Sequence, residues 1–188
     1  MSVAKERPRR RRQAVAPLQS EMRKRTISLL AERGVQLRDI ASIVHELQSP
    51  YNPKLTEEEC LTSVERVVDK REVQHAVLTG VALDMLAERG LLPEPLLTII
   101  QEDQGLYGVD EIVALSIVNV YGSIGLTSFG YLDKTKKGII GRLNAEKDGK
   151  VNTFLDDIVA GIAAAASARV AHQTRQREEE SVTAKANS

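Results

Sequence analysis

The sequence predicts an all-α fold, a compact single-domain helical bundle with about six to eight helices and a central apolar helix pair. Of the 188 residues, 42% are hydrophobic but only 3% are aromatic, and Trp is absent. An interior built from Ala, Leu, Ile and Val suits helix packing better than a sandwich of aromatic-rich strands. A chain of this length supports one ordinary core and is short for two domains.

The charge distribution predicts a basic N-terminal tail. The formal net charge is +0, yet six basic residues crowd into the first twelve positions, namely Lys5, Arg7 and residues 9–12. No apolar signal-peptide segment follows them, so we expect residues 1–17 to form a retained, disordered tail. Such a tail could attract either anionic lipid headgroups or nucleic acid.

The cysteine content favours a reducing compartment. Cys60 is the single cysteine, so no intramolecular disulfide can form, and the sequence has no Cys/His cluster of the kind that binds zinc. We therefore expect a cytoplasmic protein, peripheral at the inner face of the membrane if the tail binds lipid.

Caps and apolar periodicity predict four or five helices before residue 105. The first closes at Gly34, and Thr56 with Glu59 forms the capping-box signature of the third. Prolines at 93 and 95 open a further short helix. The predicted segments are LQSEMRKRTISLLAERG, LRDIASIVHELQ, LTEEECLTSVERVVDK, KREVQHAVLTGVALDMLAERG and PLLTIIQED.

The segment from Ile112 to Leu132 contains no charged residue and is long enough to cross a membrane. Several Ser, Thr, Asn and Gly residues make it less apolar than an ordinary membrane span. We therefore favour a buried central helix that breaks near Gly122 to Gly125 over a spanning helix.

The last predicted helix, TFLDDIVAGIAAAASARVAHQTRQ, is apolar through Ala168, but its eleven uncharged residues from Ile158 are too few to span a bilayer. Its Ala and Gly side chains would let another helix approach closely. The predicted organisation is thus a helical domain over residues 18–176, followed by a polar C-terminal tail over residues 177–188.

Two pairs of adjacent acidic residues precede uncharged helical segments: Asp110 with Glu111, and Asp156 with Asp157. Helix N-termini favour anions, so a capping role is one interpretation. Adjacent helical residues point about 100° apart, so one capping carboxylate would leave its neighbour facing the core or a shared site. Magnesium, which takes oxygen ligands, would stabilise such carboxylates.

A second charged group, Asp133 with Lys134, Lys136 and Lys137, follows the uncharged segment. It is either a surface salt-bridge cluster or part of a site in which lysine holds phosphate. The three histidines, at 45, 75 and 172, accompany no nucleophile or phosphate-loop motif.

The acidic residues carry a resemblance to the phosphatidylglycerophosphatase A family. Three pieces occur in the family's order: D-x-G-x-x-x-x-D-E from Asp103 to Glu111, L-D-x-x-K from Leu132 to Lys136, and L-D-D-I-V-A-G from Leu155 to Gly161. The resemblance implies removal of phosphate from phosphatidylglycerophosphate with magnesium. Across nearly its full length the chain resembles the soluble branch of that superfamily, the low-temperature requirement C proteins, in LAERGV, KREVQHAVLTG, GLYGVDEIVALSIVNVYGSIG and TFLDDIVAGIAAAA.

The resemblance implies roles for seven residues. The metal ligands, for one or two Mg²⁺ ions, would be Asp110, Glu111, Asp156 and Asp157. The residues Asp103 and Asp133 would help as ligands or position water, and Lys136 would contact the phosphoryl group. The implied partner is a phosphorylated small molecule or a lipid headgroup.

Three departures separate this chain from the membrane-bound members. It has no counterpart of their G-T-x-G-S element, Gly130 replaces an arginine, and Lys137 replaces a proline. Each missing piece would contact phosphate or lipid. We therefore expect this chain to share the family's metal site more fully than its substrate site.

Two alternatives are not enzymes. One is a protein that binds a phosphorylated ligand without turnover, or acts through homo-oligomers. The other is a helix-turn-helix-like regulator formed by RTISLLAERGVQLRDIASIVHELQ and the basic tail. The apolar residues Ile40, Ile43 and Val44 make its second helix look packed in the core, so nucleic acid is the less favoured partner.

Overall fold

The structure is a computed structural model that describes residues 15–146 and 148–186. Those residues form helices and connecting turns without strands, which confirms the predicted all-α fold. The helices are α1 (Val15–Glu32), α2 (Leu37–Gln48), α3 (Glu57–Val68), α4 (Arg71–Glu88), α5 (Leu96–Gln101), α6 (Val109–Val118), α7 (Gly122–Thr135), α8 (Ile139–Ala145) and α9 (Leu155–Ala186), with a 3₁₀ turn at Asn119–Tyr121.

Helix α9 is the central element of the fold. Its residues from Leu155 to Ala168 are all buried, and α2, α3, α4, α6, α7 and α8 pack around it. Small residues allow the close contacts that the sequence predicts. A Cβ atom placed on Gly161 would lie 3.0 Å from the carbonyl oxygen of Ala114, so the backbones of α9 and α6 touch there.

The helix boundaries in the first half of the chain follow local sequence signals. Gly34 ends α1 in the left-handed region, at φ +80°. The hydroxyl of Thr56 accepts a hydrogen bond from the backbone N–H of Glu59, and the Glu59 carboxylate accepts one from the backbone N–H of Thr56. The predicted capping box is therefore present at the start of α3.

The uncharged segment is broken where the sequence predicts a break. Helix α6 ends at Val118, and α7 begins after the 3₁₀ turn at Gly122, whose φ of +74° favours glycine. One face of α6 and α7 is buried against α9, but the other is exposed, including Ile112 at 63%. The stretch Val109–Thr135 could cross a membrane by length and composition alone, although core helices of soluble proteins share those properties.

The two predicted tails have different outcomes. The predicted basic tail falls mostly on residues 1–14, which lie outside the described residues, and α1 begins at Val15. The helix α9 continues to Ala186, so much of the segment 177–188 is helical. Side-chain pairs four residues apart stabilise this extension, such as Arg175 Nε to Glu179 Oε1 at 3.0 Å.

Candidate active site

An open cleft of about 220 Å³ brings together all seven residues that sequence analysis selects. It lies between the 103–108 loop, the first turns of α6 and α9, the C-terminal end of α7 and the side chain of Asn144 in α8. The seven residues that line it are Asp103, Asp110, Glu111, Asp133, Lys136, Asp156 and Asp157. The structure places them side by side, while their individual roles remain predictions.

Three carboxylates converge at one side of the cleft. One oxygen from each of Asp110, Glu111 and Asp157 lies within 4.8 Å of the others. The first two begin α6 and the third lies in the first turn of α9, and these two helix starts meet because α6 and α9 pack closely at Gly161. Three carboxylate oxygens at this spacing fit a hard divalent cation such as Mg²⁺.

The first carboxylate of each acidic pair interacts with its own helix start. Asp110 Oδ1 accepts a hydrogen bond from the backbone N–H of Glu111 at 3.0 Å, and Asp156 Oδ1 accepts one from Asp157 N–H at 2.9 Å. These bonds run to the next residue in the first turn, whereas an N-cap side chain bonds the N–H two or three residues on, and the N-cap residue of α6 is Gly108. Both pairs line the cleft, so capping does not account for their convergence.

Lys136 interacts with three carboxylates at the other side of the cleft. Its Nζ lies 2.7 Å from Asp133 Oδ1, 3.0 Å from Asp156 Oδ2 and 3.4 Å from Asp157 Oδ1. Burial lowers the pKa of this ammonium, but the carboxylates of Asp156 and Asp133 raise it by more, so that the net pKa lies above the ordinary value. Lys137 instead pairs with Glu46, outside the cleft.

The buried carboxyl groups of the cleft have raised pKa values. Burial and then the charge of Asp156 raise the pKa of Asp157 to about 8. Burial raises the pKa of Asp156 to about 6, against the attraction of Lys136, and burial with the neighbouring Glu111 raises the pKa of Asp110 to about 6. Burial is the largest cause of all three shifts, and a bound cation would lower these pKa values.

The backbone is strained at three positions of the cleft. Among the described residues, the non-glycine residues with positive φ are Asp103 at 50°, Leu106 at 72° and Lys136 at 44°. All three line the cleft. Left-handed conformations cost free energy for residues with a Cβ atom, and such strain tends to cluster at ligand sites.

A buried network that the sequence does not reveal fixes the chain just before α9. Asp84 in α4 is fully buried, and its carboxylate accepts hydrogen bonds from the backbone N–H groups of Phe154 and Leu155, at 3.1 and 3.0 Å. Nearby, Arg33 Nη2 donates to the carbonyl of Val151 and to Oδ1 of Asn152, both at 2.8 Å. These groups hold the chain that places the second acidic pair in the cleft.

Burial raises the pKa of Asp84 to about 8, although its two backbone hydrogen bonds act in the opposite direction. The charge of this aspartate predicts a position on the surface. The signal that could have found it is its position inside a helix face otherwise occupied by Val77, Gly80, Val81 and Ala87, all of which are buried.

Exposed apolar side chains occur in the cleft lining and just after it in the sequence. Leu106 lines the cleft and is fully exposed, and Val109 and Ile112, which flank the first acidic pair in the sequence, are also exposed. Exposed apolar groups beside a polar cleft are typical of a surface that contacts another apolar molecule.

The segment proposed as a helix-turn-helix has its second helix packed in the core. Ile40, Ile43 and Val44 of α2 are buried, and α2 packs on α3 and α9. That apolar face is not available to a DNA groove. The three histidines are absent from the lining of the cleft.

Comparison with known families connects the cleft to a described activity. The family model described as phosphatidylglycerophosphatase A matches residues 28–172, which include every residue of the acidic cleft.

Similar proteins are known from bacteria. The chain is 57% identical over 161 residues to the uncharacterized protein YpjQ of Bacillus subtilis, covering 86% of this chain and 90% of YpjQ. It is 54% identical over 159 residues to the uncharacterized protein YutG of the same organism, covering 85% of this chain and 96% of YutG. The crystal structure of the low temperature requirement C protein from Listeria monocytogenes has a TM-score of 0.81 at 57% identity, covering 84% of this chain and 99% of that one.

Proposed function

Because the chain belongs to the phosphatidylglycerophosphatase A family, we propose that it is a magnesium-dependent phosphatase that hydrolyses a phosphate monoester in the acidic cleft. Phosphatidylglycerophosphate, or a related lipid phosphate, is the proposed substrate. The observation that carries this proposal is the convergence of Asp110, Glu111 and Asp157 at the meeting point of two helix starts.

The donor set fits Mg²⁺. Carboxylate oxygens are the ligands that hard divalent cations prefer, and one or two carboxylates with water and phosphate oxygens complete the octahedron of Mg²⁺. In the proposal, Asp110, Glu111 and Asp157 hold the ion, with Asp156 beside them. A bound Mg²⁺ would lower the pKa of an attacking water and neutralise phosphoryl oxygens as charge moves to the leaving oxygen.

The remaining groups of the cleft have supporting roles. Asp103 is exposed at its edge, where it can accept a hydrogen bond from a water molecule and orient it. Asp133 holds the ammonium of Lys136, which brings a positive charge to the position where a phosphoryl oxygen would lie.

The apolar mouth supports a lipid substrate. A lipid phosphate placed in the cleft must have its acyl chains leave past the rim, and Leu106 at that rim is fully exposed. Val109 and Ile112 extend the exposed apolar surface along α6. We infer that this rim enters the interface of an anionic membrane, with the family's lipid phosphate drawn into the cleft.

The proposal is tested by phosphate release from a panel of monoesters that includes phosphatidylglycerophosphate in mixed micelles and soluble sugar and glycerol phosphates. We expect release that requires Mg²⁺ and falls about 100-fold or more in Asp110→Asn and Asp157→Asn. The matched control is Glu57→Gln, which also changes an acidic residue in the first turn of a helix but lies outside the cleft.

Equal release by the wild type and both aspartate variants would overturn the proposal. Binding of Mg²⁺ and of a phosphate monoester without release from any member of the panel would favour the non-catalytic alternative, a protein that holds a phosphorylated ligand.

A further inference from the structure

Lys136 is enclosed by carboxylates as a metal ion would be. Its ammonium contacts one oxygen from each of Asp133, Asp156 and Asp157, at 2.7, 3.0 and 3.4 Å. An exposed lysine on a protein surface usually contacts one mobile partner. Here the side chains of Asp156 and Asp157 are only 6% exposed, so the ammonium is the cation that neutralises a largely buried acidic group.

The ammonium lies directly beside the convergent carboxylates. Asp157 belongs both to the group of oxygens within 4.8 Å that includes Asp110 and Glu111, and to the group that surrounds Lys136. The cleft therefore has two adjacent cation positions that share one aspartate. Shared carboxylates are the usual bridge in two-metal sites, where the ions lie about 3.5–4 Å apart.

The backbone holds Lys136 firmly at this position. Its residue is left-handed, with φ 44° and ψ 53°, and its N–H donates to the carbonyl of Leu132 at 2.8 Å, which ends α7. Its own carbonyl oxygen lies against α8, where a Cβ atom on Gly141 would be only 2.3 Å away. Only glycine at 141 allows this approach. The close contact between α7 and α8 therefore fixes the turn that carries Lys136.

We propose that the ammonium of Lys136 occupies the place of a second divalent cation, so that the cleft binds one metal ion where two-metal phosphatases bind two. The inference rests on the proposed function, because it concerns the ion-binding capacity of the same cleft. A fixed monovalent cation supplies one charge without exchange with solvent. It would contact the phosphoryl oxygen that a second metal ion would otherwise hold.

The test is a count of bound Mn²⁺, used as the probe ion, by equilibrium dialysis with the full-length chain. Lys136→Gly removes the ammonium, opens space for an ion, and suits the left-handed backbone. Lys136→Met removes the charge and leaves a flexible, partly exposed side chain that can turn away from the carboxylates, and it serves if the glycine variant does not fold. Two controls keep the charge of the cleft. One is Lys136→Arg, and the other is Lys137→Met, which removes an ammonium that pairs with Glu46 outside the cleft.

We expect both charge-removing variants to bind one more Mn²⁺ than the wild type, and both controls to bind the wild-type number. Two ions that share Asp157 would also couple magnetically, so the electron paramagnetic resonance spectrum of Lys136→Gly should lose the simple six-line pattern of an isolated Mn²⁺. The wild type should keep that pattern. An unchanged ion count in both Lys136→Gly and Lys136→Met would overturn the inference.

The outcome separates this inference from the proposed function. A wild type that binds no Mn²⁺ contradicts the metal-dependent proposal, and the inference with it, because both assign one ion to the wild-type cleft. A wild type that binds one ion, with no gain in either charge-removing variant, contradicts the inference alone. A wild type that already binds two ions in the cleft contradicts the inference and leaves the metal-dependent proposal standing.

Discussion

The carboxylate of Asp84 in α4 accepts a hydrogen bond from the backbone N–H of Leu155, the first residue of α9, at 3.0 Å. The second oxygen of the same carboxylate accepts from the preceding N–H, that of Phe154. The start of α9 is therefore capped by a side chain from another helix, which leaves Asp156 and Asp157 free to face the cleft. This arrangement links the stability of the fold to the position of the candidate metal ligands.

Replacing Asp84 should destabilise the protein and disturb the cleft together. Asp84→Ala leaves two buried N–H groups without acceptors, which costs on the order of 2–4 kcal/mol in the free energy of unfolding. Asp84→Asn keeps one acceptor and should cost less. We expect Mn²⁺ affinity to fall about 10-fold in the alanine variant, as for other residues that orient metal ligands. Urea unfolding and Mn²⁺ titration measure the two effects. An alanine variant that is as stable as the wild type would contradict the capping role.

Adding a methyl group at Gly161 should separate α6 from α9. The new Cβ would lie 3.0 Å from the carbonyl oxygen of Ala114, and backbone atoms cannot rotate away as a side chain can. We expect Gly161→Ala to lower the free energy of unfolding by about 1–3 kcal/mol. It should also weaken Mn²⁺ binding, because Asp110 and Asp157 lie on the two separated helices.

The matched control for this change is Gly130→Ala in α7. A Cβ atom on Gly130 meets nothing within 4 Å, so the alanine should stabilise the helix by about 0.5–1 kcal/mol. Both variants are compared by urea unfolding. Equal effects at the two glycines would contradict the close contact between α6 and α9.

The metal-free protein should become less stable as the pH rises from 5 to 8. The pKa values of Asp157 and Asp84 are raised to about 8, and those of Asp110 and Asp156 to about 6, mainly by burial. The folded protein therefore binds more protons than the unfolded chain above about pH 4, and its stability falls as the pH rises through this window. Glu59 and Glu146 have lowered pKa values, and the stability that their ionised forms contribute is lost only at lower pH.

Thermal unfolding in a metal chelator at several pH values measures this dependence. We expect a lower Tm at pH 8 than at pH 5. Mg²⁺ should restore the part that comes from the cleft carboxylates, because it favours their ionised form, but not the part that comes from Asp84, which does not line the cleft. The variant Asp157→Asn, which carries no charge at that position, should show a flatter profile. A Tm that rises steadily from pH 5 to pH 8 in the metal-free wild type would contradict the assigned pKa shifts.

Binding to anionic vesicles should depend on the apolar rim. We expect the double variant Leu106→Ser with Ile112→Ser to sediment less with vesicles that contain phosphatidylglycerol, because two exposed apolar groups are lost. The control is Leu91→Ser, which changes a side chain that is 63% exposed, as Ile112 is, but that lies between α4 and α5 and not in α6 or the 103–108 loop. Equal loss of vesicle binding in the control would contradict a specific role for the rim. Hydrolysis of soluble monoesters should be unchanged in the double variant and in the control.

Local sequence signals predict the helices, because caps and glycine stops depend on short-range patterns. The capping box at Thr56 and the glycine stop at Gly34 involve residues a few positions apart. The family resemblance adds the order of the acidic motifs, which identifies the residues that meet in the cleft. The Arg175 to Glu179 pair shows that the C-terminal polar segment also carried a helical signal, in charges four residues apart.

Long-range pairings account for what the sequence does not reveal. Asp84 bonds to Phe154 across 70 positions, and Arg33 bonds to Asn152 across 119. No local pattern reveals that these residues pair. The sequence also predicts a buried helix through the uncharged segment. Only one side of α6 and α7 is buried, because α9 offers a single face for them to pack on, and composition cannot distinguish one buried face from two.

The most direct test of the proposed metal site is an anomalous difference map from crystals soaked in Mn²⁺. We expect a peak between Asp110, Glu111 and Asp157, at about 2.0–2.3 Å from a carboxylate oxygen of each. The ammonium of Lys136 should still lie beside Asp133 and Asp156. A map without a peak in the cleft, at Mn²⁺ concentrations that saturate binding in solution, would contradict the proposed metal site.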